Sequence, residues 1–392
     1  MSVEGRLLID LAREGGRVRG VTIRSTRPAQ AARVFEAKTP EAVLQLLPLL
    51  YSVCATAQGQ AAQTACERAL GITPDRGVRL ARELLVCLET TREHLWRILM
   101  DWPSFFDEDN QVALMAPLMR LLPESRNALF VNGRAFGLEA KLHAADWALH
   151  DLAMTLYNLL ERAVFGCPVQ NWLEITDKTG LDAWIGRSGG VAARVLRRVQ
   201  DEGWEASGAV QPAFLPVLPE AQLEARLSAH DADAFIARPE WQGGPRETTP
   251  LARQQDIPMI RSLLATTGAG LLARLVSLLV ELAQTPARLR ALTEALQTSG
   301  DGEPDTAGIS GGVGLSQVEA ARGRLVHRVE LEHGCVRRYQ ILAPTEWNFH
   351  PDGVADRGLK TLKAKDAAGL RRQAAMLISA VDPCVGYELT LH

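Results

Sequence analysis

Two turn signals near opposite ends of the 392-residue chain, Glu14-Gly15-Gly16 and Glu332-His333-Gly334, each lie between short runs of strand-forming residues. The first pair of runs is 6–11 with 18–24, and the second is 326–331 with 335–342. Nearly everything between the hairpins carries apolar residues at intervals of three and four, the spacing of amphipathic helices. A chain ordered as hairpin, many helices, hairpin and final helix is expected to fold as a mostly helical α+β protein. Thr39 and Pro40 mark a helix start over 40–50, and helices are expected over 55–70, 76–100, 138–164 and 362–381. A further helix over 269–297 should break at Pro286, residues 239–255 read as a surface loop, and 298–312 as a Gly-rich linker.

Composition narrows the function classes. An apolar fraction of 47% with 23% charged residues is that of a water-soluble globular chain, and the length allows one large or two smaller domains. A net charge of −3 gives no general attraction to nucleic acid or to a membrane surface. The basic cluster 194–198 reads as the wet face of a helix. No signal peptide is expected, and the apolar stretch 271–282 is too short to span a bilayer and is interrupted by Arg274 and Glu281. The six cysteines are scattered with no C-x-x-C pair, which fits a reducing cytoplasm, and Cys66 and Cys87 sit in apolar helical patterns as core residues. No paired-histidine zinc motif, P-loop, dinucleotide fingerprint or serine-hydrolase elbow is present.

Two cysteines stand in more telling surroundings: Cys54, in Leu49-Leu50-Tyr51-Ser52-Val53-Cys54-Ala55-Thr56-Ala57-Gln58, and Cys384, in Asp382-Pro383-Cys384-Val385-Gly386-Tyr387. With Val3-Glu4-Gly5-Arg6-Leu7, Glu319-Ala320-Ala321-Arg322-Gly323 and Leu342-Ala343-Pro344-Thr345-Glu346-Trp347-Asn348 they form an ordered series. This series resembles the motifs of the [NiFe]-hydrogenase large subunits, with each cysteine pair cut to one. Tyr51 and Tyr387 stand where that family has its other two cysteines, Leu49 replaces an arginine, and Gln58 and Thr390 replace histidines. The pattern looks like the HupK/HoxV-type hydrogenase expression and formation proteins, large-subunit homologues with depleted ligands.

The resemblance implies a single large-subunit-like domain over 1–392, family-like in 1–122 and 312–392 and divergent in 123–311. It implies a maturation factor rather than an enzyme, a scaffold or carrier for the Fe(CN)2(CO) unit before transfer to the large subunit. Cys54 and Cys384 would be the metal ligands, while Arg322, Pro344, Thr345, Glu4, Asp101 and Asp382 would surround the unit. Arg322 and Thr345 would donate to its cyanides. Bulky tyrosines at 51 and 387 disfavour nickel. The implied partners are the chaperones that build and deliver the unit and the large-subunit precursor, in the cytoplasm. The end of the chain at His392 carries the further expectation that no C-terminal extension is removed. Two readings from other classes stand beside this one: a metal-free assembly chaperone, and a divergent active large subunit. Arg322 also has a purely structural reading, as the ion-pair partner of Asp382 or Glu319, and Asp101 as a cap.

Overall fold

The computed structural model describes residues 5–27, 30–143, 148–299 and 312–392. The N-terminal hairpin forms as expected, from β1 (Leu7–Glu14) and β2 (Arg17–Ser25), antiparallel with Leu7 opposite Ser25 and Glu14 opposite Arg17. Leu7, Ile9 and Leu11 alternate inward and are buried, as a period of two requires when one face is covered. They pack on Leu370, Ala374, Leu377 and Val381 of the Ala367–Val381 helix. A sixth strand then changes the topology. Residues Tyr387–Leu391 (β6) run parallel to β1, Leu7 facing Tyr387 and Leu11 facing Leu391, so the sheet order is β2-β1-β6. The hairpin is therefore only two thirds of a sheet whose remaining strand comes from the other end of the sequence.

The second sheet also has three strands, β3 (Val313–Ala320), β4 (Gly323–Glu332) and β5 (Cys335–Leu342), all antiparallel. Strand β3 lies against α2 (Ala55–Leu70), whose Ala57, Ala61, Ala62 and Ala65 are all buried. The approach is very close. A Cβ on Gly314 would stand 1.8 Å from the Ala65 carbonyl oxygen, so only glycine fits there.

Preceding α2 is α1 (Pro40–Leu50), where Thr39 caps the start by accepting from the Ala42 amide at 3.3 Å. Helix α3 (Arg76–Trp96) continues into one wide turn of π-helix over Arg97–Asp101. Such turns insert a residue into the helical ladder and re-aim side chains, and here they bring Arg97 and Asp101 towards the chain's other end.

The middle of the chain is helical around the Leu271–Gln297 helix, which is buried for most of its length, with a Phe165–Trp172–Trp184 ring cluster on one side. Three expectations fail in this region. The helix does not break at Pro286; a proline inside a helix costs about 3 kcal/mol, and burial of Leu282 and Leu289 beside it offsets that. The 138–164 helix is shorter: its helical part begins at Ala148, and Phe130 and Leu142 form a bridge instead. The 239–255 stretch is no surface loop, because Glu247, Thr248 and Thr249 are buried and Pro250–Gln254 is helical. Glu247 goes inside because it pairs through both oxygens with the buried Arg274. The last helix starts at Ala367 rather than 362, after a separate Val354–Lys360 helix. Among the described residues no helix is long and apolar enough to cross a membrane.

Candidate functional site

Cys54 is the residue that begins α2. Normally such a side chain accepts from the first free amides of its helix. Here Glu89 of α3 takes that role, its two oxygens accepting from the Thr56 and Ala57 amides at 2.8 Å each. Burial pushes the Glu89 carboxyl up, and those two amide bonds oppose the shift. The sulfur of Cys54 is thereby left for other work. Its contact is Gln58, one turn on, whose amide nitrogen donates at 3.7 Å.

Behind Gln58 runs a buried relay. The Gln58 oxygen accepts from His327 Nε2 at 2.8 Å, so the neutral ring receives the Tyr339 hydroxyl at Nδ1, also 2.8 Å. Burial lowers His327 to about 3, which keeps the ring uncharged at neutral pH.

Cys384 arrives from the opposite direction. The Ala367–Val381 helix ends at Asp382, whose φ of 59° is a left-handed conformation that costs a non-glycine residue energy. Two cations hold it there: Arg97 Nη2 lies 2.6 Å and Arg322 Nε 3.1 Å from its Oδ1. Burial would raise the Asp382 carboxyl, but Arg322 and then Arg97 outweigh it and hold it below the usual range. Two residues on, Cys384 is fixed by Thr345. The Thr345 hydroxyl donates to the sulfur at 2.9 Å and accepts from the Cys384 amide at 3.1 Å. Pro344, buried beside it, starts the short Pro344–Asn348 helix.

Arg322 sits in the turn between β3 and β4 and is 3% exposed. Asn348 donates to its carbonyl at 3.1 Å, and its Nη2 donates to Glu93 at 3.0 Å. Its Nη1 is buried and has no partner among the described residues. A buried donor left unsatisfied costs about 1–3 kcal/mol, and among the buried donors without a partner this one is set apart by lying next to both thiols. Burial would lower this guanidinium's pKa, but Asp382, Glu93 and both thiols raise it instead.

The two thiols lie within reach of each other's charge. Burial first, then Cys384 and Glu89, push Cys54 well above the ordinary thiol range, with Arg322 and the Gln58 bond pulling the other way. Both are free thiols. Among the described residues no three His, Cys, Asp or Glu side chains converge as a complete metal cage. A metal held here would use two thiolates and bring its remaining ligands with it. A cavity of about 450 Å³ opens beside Cys384, lined by Arg97, Asp101, Phe105, Arg322 and Tyr387 among others. A larger cleft of about 1150 Å³ reaches Arg27, Tyr51, Thr345 and Glu346.

The description "Nickel-dependent hydrogenase" fits residues 251–358, starting inside the stretch read as divergent and taking in Arg322, Pro344 and Thr345. Over 391 residues the chain is 32% identical to the hydrogenase expression/formation protein HupV of Azotobacter chroococcum, covering 99% of this chain and 98% of the relative. It is 31% identical to HoxV of Cupriavidus necator, over 95% and 93% of the two chains. The chain belongs to this family of hydrogenase expression/formation proteins. Its fold is that of the hydrogenase large subunits: the [NiFeSe] hydrogenase of D. vulgaris Hildenborough superimposes with a TM-score of 0.68 at 16% identity, covering 95% and 94% of the chains.

In this family member the residues singled out from sequence are mostly brought together. Cys54, Cys384, Arg322, Thr345, Pro344 and Asp382 surround one locus. Asp101 stands one step back, pairing with Arg97 while its carbonyl accepts from Ser104 at 2.6 Å, so it is both cap and counter-ion. Thr345 differs from expectation in its partner, since its hydroxyl is engaged by Cys384 itself. Arg322 pairs with Asp382 but not with Glu319, which binds Arg324 and Arg253. Glu4 lies outside the described residues. Sequence reading missed Arg27, Glu89, Glu93 and Arg97; for Arg97 and Asp101 the i, i+4 spacing on a helix was the available signal.

Proposed function

We propose that this expression/formation protein is a hydrogenase maturation factor that carries the iron–cyanide–carbonyl unit as cargo, with Cys54 and Cys384 as its two protein ligands. The observation that carries the reading is the Nη1 of Arg322, buried and without a partner among the described residues, beside two free thiols. Soft thiolates suit iron that carries cyanide and carbonyl. A cyanide nitrogen is an anionic acceptor, and it would satisfy the terminal guanidinium nitrogen that Arg322 leaves open beside the two sulfurs.

The protein's own work is then binding and orientation. Thr345 fixes the Cys384 sulfur, Glu89 relieves Cys54 of capping duty, and Asp382 with Arg97 holds Arg322 in place. Two thiolates with no further protein donors bind the unit without enclosing it, which suits a carrier that must release. The partners that follow are proteins that build and deliver the unit and the large-subunit precursor, all in the cytoplasm.

Infrared spectroscopy of protein purified anaerobically from its host, with iron measured alongside, tests this. Cyanide and carbonyl bands that vanish in Cys54→Ser and Cys384→Ser are expected. Bands that persist with full iron in both variants would remove the thiols from the role. A featureless spectrum from protein that still binds its maturation partners would make it a metal-free assembly chaperone.

A further inference from the structure

A pair of free thiols, one of them lining a cavity, is a trap for any thiophilic divalent ion, whatever cargo the protein is meant to carry. The structure places a cation in that trap. Arg27, directly after β2, reaches inward until its Nη2 is 3.5 Å from the Cys384 sulfur and its guanidinium lies 5.9 Å from the centre of the Tyr51 ring. Its side chain is 12% exposed, and with Tyr51 it lines the 1150 Å³ cleft. Cys384 itself lines the smaller cavity, so Arg27 acts on an arriving ion through its charge beside the sulfur and not by blocking a path.

The placement is built into the backbone. Gly5 adopts φ +68°, and a Cβ there would stand 2.5 Å from the Arg27 nitrogen and 2.6 Å from its Cα. A glycine is therefore needed for the chain entering β1 to lie against Arg27. The Arg6 carbonyl accepts from the Thr26 amide at 2.8 Å and completes the clamp. Arg27 also pairs with one Glu346 oxygen at 3.4 Å.

We propose that Arg27 is a resident cation that reserves Cys384 for an iron unit bearing anionic ligands and keeps hydrated divalent ions such as nickel(II) off it. A fixed positive charge a few ångströms from the sulfur repels a dication at short range and low dielectric. It repels far less a unit whose charge is already offset by cyanides and thiolate. This selectivity rests on the carrier reading above, but the repulsion itself does not require the iron unit.

The test is a titration of metal-free, reduced protein with nickel(II) alone, followed by thiolate-to-nickel charge-transfer absorption. Arg27→Gln keeps a donor for the sulfur and removes the charge, and should raise nickel affinity about a hundredfold or more. Arg27→Lys should stay close to wild type, and Arg27→Gln/Cys384→Ala should lose the gain, which locates it at Cys384. Unchanged affinity in Arg27→Gln, or wild-type protein that binds nickel tightly through Cys384, overturns the proposal. If Arg27→Gln fails to fold, Arg27→Met takes its place with the same two outcomes, and tight wild-type nickel binding abolished by Cys384→Ala refutes the barrier on its own. A failed infrared experiment would sink the carrier function and leave these outcomes intact.

Discussion

Arg274 and Arg322 are two of four arginines almost completely enclosed among the described residues, and these two are treated differently. Arg274, in the middle of the chain, presents both terminal nitrogens to Glu247, with the Ala269 carbonyl as an extra acceptor at 3.2 Å. Only its Nε, which points away from the carboxylate, is left without a hydrogen bond among the described residues. Arg322, at the site, shares its two carboxylates with other cations, since Asp382 also pairs with Arg97 and Glu93 also with Arg92, and its Nη1 is unmatched. A closed pair such as the first belongs to folding. A surplus donor held rigid by a shared network belongs to something that arrives later.

Mutations should separate the two. Arg274→Met leaves Glu247 buried without its cation and should cost about 3–5 kcal/mol, read as a lowered denaturant midpoint with iron content unchanged per folded molecule. Replacing Glu247 by Leu in the same chain should restore much of that loss; no restoration would mean that the pair is not an isolated unit. Next comes Glu281, where burial is outweighed by Arg253 and His94, which hold the carboxyl down to about 2. A depressed carboxylate stabilises above its unfolded pKa near 4.5 and loses that contribution as pH falls towards 2. Glu281→Gln should therefore flatten the acid limb of a stability–pH curve by on the order of 3 kcal/mol.

Arg322→Met should cost less stability, about 1–2 kcal/mol, because each of its carboxylates retains another cation. Its cyanide bands should shift or disappear all the same. A stability loss as large as that of Arg274→Met would end the distinction. The smallest effects sharpen it further within one helix. Cys66 is packed among Val43, Leu47 and Tyr339, and burial pushes its thiol up to about 12. Cys66→Ala should lower stability by about 1 kcal/mol and keep the iron. Cys54→Ala should do the reverse, with little change in melting and loss of the unit.

The outline of the fold was legible because hairpin turns and helical spacing are local signals. Both hairpins and the helices over 40–50 and 55–70 lie where their caps and patterns put them. What escaped was set at long range. Strand β3 shows no clean alternation, since it is covered by α2 on one face and its Gly314 answers to Ala65 rather than to its own neighbours. Residues 239–255 looked polar because the side chains of Glu247 and Thr248 serve partners remote in sequence, the Arg274 guanidinium and the Arg324 amide. At the site, the two cysteines and Arg322 could be read because each stands in a recognisable motif. Arg27 could not: it is 357 positions from the sulfur it touches, and neither periodicity nor local composition marks it.

The parallel pairing of β6 with β1 gives the site a history in time. Cys54 and the N-terminal hairpin leave the ribosome well before Asp382, Cys384 and the strand that locks them to β1. Until Tyr387–Leu391 has emerged and zipped against Leu7–Leu11, one thiol has no companion and Arg27 has no sulfur to meet. The two thiols therefore come together late in synthesis, and only after β6 has found β1 is the site that joins them assembled.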